Sequence, residues 1–243
     1  MHKPIRSSRK INKPNPTKMQ ITNPPDAGKF PAIEAAIQKE RLQRYLPAAG
    51  GDAEEAFRYY LWNCNLCESF YLPLQFAEVL TRNAVHRCLI ARLGEEWYLH
   101  TTFRRLLDGQ FERELQRAID DETAQHQGNL TNHHICSALT FGFWEHLTIK
   151  RFSRLLWSRG LHHSFPNIGT NTREDLHELI EKVRRWRNRI AHHRAIFDKG
   201  PSKKFQETMD LITLVCSDTA DWTTSVSNVQ QTISMRPESN GIT

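Results

Sequence analysis

No apolar run in this sequence approaches the ~20 residues that a membrane-spanning helix requires, and no apolar signal core follows the N-terminus, so a cytoplasmic protein without a membrane partner is expected. Alternating apolar and polar positions are absent over any useful length, as are internal repeats and a glycine-rich phosphate loop. These absences set aside β-sandwiches, solenoids and P-loop nucleotide enzymes. The five cysteines (Cys64, Cys67, Cys88, Cys136, Cys216) are an odd count, which argues against a disulfide framework in a cytoplasmic chain. Cys64-x-x-Cys67 has no second pair at finger spacing, and burial of all five as small hydrophobes is expected. His133-His134 and His162-His163 have no carboxylate at a fixed helical offset, so neither a metal nor any other cofactor is expected.

What is present describes helices. With 243 residues, 39% of them apolar, and six tryptophans, there is material for one sizeable core. Residues 1–29 carry seven basic side chains (Lys3, Arg6, Arg9, Lys10, Lys13, Lys18, Lys29) against Asp26, a net charge of +6 that equals that of the whole chain. Five prolines fall in the same stretch. It is expected to be a disordered basic arm, either able to contact polyanions or a leader without a role of its own. Residues 30–222 are expected to form one helical domain, followed by a polar tail over 223–243 that frays. Helices are predicted through Ile33–Tyr45, from a cap at Asp52 through Leu66, from Pro73 to Gly94, over about 103–123, 132–145 and 147–158, and from Phe205 to Val215.

The longest amphipathic pattern follows Thr172, which offers an N-cap hydroxyl ahead of Glu174 and Asp175. Leu176, Leu179, Ile180, Val183, Trp186 and Ile190 then recur at three- and four-residue steps, the stripe of a helix that buries one face. Its end is Arg184-Arg185-Trp186-Arg187-Asn188-Arg189-Ile190-Ala191-His192-His193, almost without acid. At about 100° per residue, Arg187 falls about 50° from the centre of the apolar arc. A cation there is costly unless paired or able to reach outward. Asn188 and His192 share the opposite face with Arg185 and Arg189, and His193 lies on the flank. Arg187 and His192 are about 140° apart, so one helix does not converge them, whereas a dimer can. A basic last turn is also what the helix dipole favours on its own. Glu78, Arg82 and His86, at i, i+4 and i+8, can form an internal ladder; the alternative is that Glu78 or Arg82 orients the motif residues.

Arg187-Asn188-Arg189-Ile190-Ala191-His192 matches the R-N-x-x-x-H signature of HEPN ribonucleases, and the following His193-Arg194-Ala195-Ile196-Phe197 resembles the end of that motif in Abi-like abortive phage infection proteins. Trp62-Asn63 with Phe70-Tyr71, Glu78 to Asn83, Thr140 to Trp144, and Leu155-Leu156-Trp157 followed by Phe165-Pro166 also resemble the family, over about residues 30–200. The resemblance implies an all-α, HEPN-like helical bundle acting as a homodimer in which two copies of the motif meet. It also implies metal-independent RNA cleavage by 2′-OH attack, leaving a 2′,3′-cyclic phosphate, in defence against phage and with a small RNA as possible regulator. The expected catalytic set is Arg187, Asn188 and His192, with His193, Glu78 and Arg82 assisting and Arg184, Arg185, Arg189 and Arg194 contacting RNA. The alternative is a catalytically inactive HEPN-like dimer that binds structured RNA as a scaffold or sensor.

Overall fold

The computed structural model describes residues 25, 26 and 28–237. The expected basic arm lies almost entirely outside these residues, as does the tail beyond Pro237. The described chain is all-α, with twelve helices and no strand among the described residues. No helix among them is long and apolar enough to cross a membrane.

The chain divides into two compact units, with the boundary at Leu61/Trp62. In the first, α1 (Phe30–Ile37) and α2 (Lys39–Gln43) replace the single helix expected through Tyr45, because Gln38 takes a positive φ of 70° between them. A 3-10 turn over Leu46–Ala49 ends on Gly50, whose φ of 63° suits glycine. Helix α3 (Ala53–Ser69) starts where expected, with Asp52 accepting from the Glu55 amide at 2.7 Å. Leu42, Tyr45 and Phe57 are buried here, with the Phe30 ring edge-on to Phe57.

The second unit begins within α3 and is built around α4 (Tyr71–Leu93), whose Leu74, Ala77, Ala84, Val85 and Leu89 are buried. Pro73 lies in its first turn, where a missing N–H costs nothing. After it come α5 (Thr101–Arg104), α6 (Gly109–His126), α7 (Asn132–Ala138), α8 (Phe141–His146), α9 (Arg173–Ala191), α10 (Pro201–Val215), α11 (Ser217–Val226) and α12 (Val229–Ser234). Helices α8, α9, α10 and α11 all pack on α4. Trp97, Phe103 and Trp144 make an edge-to-face aromatic cluster beside it.

Several expectations fail in this unit. The helix expected over 132–145 is broken at Leu139 and Thr140 into α7 and α8, and the one expected over 103–123 is split into the short α5 and α6, which starts at Gly109. Residues 147–158 do not form a helix but 3-10 turns at Lys150–Phe152 and Trp157–Arg159. The Thr148 hydroxyl donates to the Glu145 carbonyl, and Arg173 donates to the Thr148 carbonyl. Side-chain groups, one of them from α9, thus take acceptors that further turns need. Nor does the chain fray from Thr223. It stays helical to Ser234 with Val229 and Thr232 buried, and the Trp62 indole N–H donates to the Thr232 carbonyl at 2.7 Å. Burial of a few apolar side chains outweighs the polar average of that stretch. Among the cysteines only Cys88 and Cys136 are buried. Cys64 is exposed, and Cys67 and Cys216 are intermediate.

Candidate nucleic-acid interface

Helix α9 follows the sequence pattern closely. Thr172 and Asp175 form a reciprocal capping box, the hydroxyl accepting from the Asp175 amide and the carboxylate accepting from the Thr172 amide at 2.8 Å. The Thr172 amide and hydroxyl, both donating to it, hold the Asp175 carboxyl below its usual range. Leu176, Ile180, Val183 and Trp186 are buried. The other end is locked as well. The His193 amide donates to the Ile190 carbonyl at 2.9 Å and the Arg194 amide to the Arg189 carbonyl at 3.0 Å, the two bonds of a Schellman motif. His193 sits at its left-handed position, φ 53°, where glycine is usual. The Arg189 guanidinium closes the turn by donating to the Ala195 carbonyl.

A residue from α3 completes this support. Asn63 is buried, and its carbonyl oxygen accepts from the amides of Ile196 at 2.7 Å and Phe197 at 3.2 Å. The segment leaving the motif is therefore fixed at both ends. No local feature of the sequence distinguishes Asn63 as a site residue, because its partners are more than 130 positions away; Trp62-Asn63 figured only among the pieces that resemble the family.

The expected site residues separate onto two sides of α9. On one, Arg187 and Ile190 line a recess of about 340 Å³ together with Tyr71, Leu74, Glu78 and Arg82 of α4. The Arg187 guanidinium donates to the Glu78 carboxylate at 3.1 Å, which resolves the cation near the apolar arc. Glu78 is therefore used across helices and not in a ladder with Arg82. Arg82 donates to Asn83, and His86 is buried among Trp97, His133 and Trp144. Burial pushes the His86 imidazole down to about 4.

On the other side Asn188 and His192 line a recess of about 600 Å³ with Trp186 and six cations: Lys182, Arg185, Arg189, Arg194, Lys199 and Lys204. No carboxylate belongs to its lining. Four of the cations are paired with acids, Lys182 to Glu178 at 2.7 Å, Arg185 to Glu181 at 2.6 Å and Lys204 to Glu207 at 2.7 Å on their own helices, and Lys199 to the adjacent Asp198 at 3.3 Å. Arg184 takes no part in either recess. It pairs with Glu145 of α8, and burial lowers its pKa. It ties α9 to α8.

Comparison with protein-family models, with curated proteins and with solved structures gave no match. The reading of this surface therefore rests on its chemistry. A concave site lined by six cations, an amide and an imidazole suits the phosphates of a polyanion. Arginine offers paired, always-charged donors, and lysine a mobile point charge.

Proposed function

We propose that this chain is an RNA-binding protein that cleaves RNA as a HEPN-type endoribonuclease, in the service of abortive phage defence. The observation that carries the reading is the recess in which Asn188 and His192 stand among six lining cations, whose acidic partners lie outside the lining. RNA lies along that recess, its phosphates held by Arg185, Arg189, Arg194 and the lysines. The 2′-OH attacks the adjacent phosphorus, the 5′ oxygen leaves, and a cyclic phosphate and a 5′-OH result. His192 moves the proton, a contribution on the order of 10²–10⁴-fold for such a group. Asn188 hydrogen-bonds the phosphate or the imidazole, and Arg187 neutralises charge on the phosphorane. Arg187 and His192 face different sides of one α9, so the complete set requires a second copy of the chain, and activity rises with protein concentration. DNA, which has no 2′-OH, binds without being cut.

The same separation favours a second reading, in which the protein binds structured RNA without cutting it. Labelled RNA incubated with the purified chain at two concentrations, without added divalent metal and beside an Arg187→Ala/His192→Ala variant, decides between the two. Cleavage with cyclic-phosphate ends that is lost in the variant supports the nuclease. Binding by both proteins with cutting by neither supports the scaffold. No salt-sensitive RNA binding by either would overturn both.

A further inference from the structure

The end of α6 and the start of α7 bring together a donor set unconnected with α9. Glu122 and His126 are four residues apart on α6 and therefore one above the other on one face. Glu122 Oε2 lies 3.1 Å from His126 Nε2. The chain then reverses within five residues, through Gln127 at φ 39° and Gly128 at φ 93°. That reversal brings His134, in the first turn of α7, against His126. One ligand atom from each of Glu122, His126 and His134 falls within 4.8 Å of the other two, and all three side chains are half-buried. The sequence offers His134 no carboxylate at helical offset on α7; the fold supplies one from α6.

We propose that Glu122, His126 and His134 bind one divalent ion of the zinc class. Two imidazole nitrogens and a carboxylate oxygen are a borderline donor set, suited to Zn²⁺ and its transition-metal neighbours rather than to Mg²⁺ or Ca²⁺, which take oxygen. Ligand atoms about 2.0–2.2 Å from a tetrahedral ion lie somewhat over 3 Å apart, the spacing of the Glu122–His126 pair. The imidazoles of His126 and His134 are stacked, 3.6 Å between centroids and 5° between planes. An ion must lie in the plane of each ring it bonds, so loading turns one ring. His134 is the ring that turns: its Nδ1 accepts from the Thr131 amide at 3.2 Å, and it exchanges this cap for the ion. The fourth position remains open to water. Bound in this way, the ion clips the α6–α7 corner.

The test uses the full chain without an affinity tag, stripped with chelator and titrated with Zn²⁺ or Co²⁺ by calorimetry, with thermal melting in parallel. One equivalent binds, Tm rises by several degrees, and the Co²⁺ complex shows no thiolate charge-transfer band. His126→Ala/His134→Ala abolishes binding. Glu122→Gln weakens it at least tenfold while its metal-free Tm stays near that of the parent. Arg187→Ala/His192→Ala keeps it, which separates this site from the ribonuclease reading. The proposal is overturned if no equivalent binds, if the double histidine variant binds as well as the parent, or if a thiolate band places the ion on Cys64 and Cys67.

Discussion

His193 occupies a backbone conformation that costs a side-chain-bearing residue about 1–2 kcal/mol, at φ 53° in the turn that ends α9. Glycine is free of that strain, so His193→Gly should keep the fold, and the strain relieved, less the added chain entropy of glycine and the contact the ring gives up, should leave the unfolding free energy within about 1 kcal/mol of the parent. Urea unfolding measures it, and a clear loss of stability would show that the ring itself holds the turn. Because the variant folds, it also separates the two histidines. Full RNA cleavage by it would leave His192 as the proton-transfer group, and lost cleavage would assign His193 a part. Residues such as these were only partly legible from the sequence. The stripe of Leu176, Ile180, Val183 and Trp186 and the box at Thr172 and Asp175 depend on neighbours within four positions, and spacing predicts them. The Glu78–Arg187 pair depends on how α4 crosses α9, and no spacing rule contains it.

At the scale of elements, α9 is useful only as far as its exit is held. Asn63 on α3 does this with one oxygen and two amides. Asn63→Ala leaves two buried donors without an acceptor, an expected loss of about 2 kcal/mol or more. The loss should appear in chemical denaturation, with faster hydrogen exchange at Ile196 and Phe197. Unchanged exchange there would mean that the segment is held by packing alone. The element scale is also where the sequence misled. The apolar content of residues 147–158 is that of a helix, and the side chains Phe152 and Leu156 are buried as a helix would bury them. The Thr148 carbonyl at the start of the stretch is instead taken by Arg173, which belongs to a different helix. Likewise the polar run after Thr223 carries too few apolar residues to signal burial, yet Val229 is fully enclosed. The all-α class was legible because it follows from period alone, but the pairing of helices was not.

For the molecule as a whole, three imidazoles are held neutral by burial, which lowers His86 to about 4 and also lowers His146 and His177. His133, Arg82 and Arg87 add their charges to the effect at His86, against the Asn132 side chain as an acceptor, while Asp108 at His146 and Glu181 at His177 partly offset it. A histidine whose pKa is depressed by folding takes up its proton more readily in the unfolded chain. Stability is therefore fully present above about pH 6.5 and falls as the pH drops towards 4. Between pH 7.5 and 5.5, His86 alone should account for about 1.4 kcal/mol of lost unfolding free energy. Urea titrations at the two values check this, and stability that rises on acidification would contradict it.

The carboxylates that hold Lys182, Arg185 and Lys204 on their own helices also set terms for any ligand of the basic recess. Each cation is already satisfied in part, so an arriving anion gains only the difference between its own contact and the one it displaces. For a lone phosphate that difference is small. A strand presenting several phosphates in succession gains it repeatedly, and after the first contact each further one forms at high local concentration. On the proposed reading the recess therefore discriminates by valency: mononucleotides, abundant in any cell, should pass it by, while long chains should be retained.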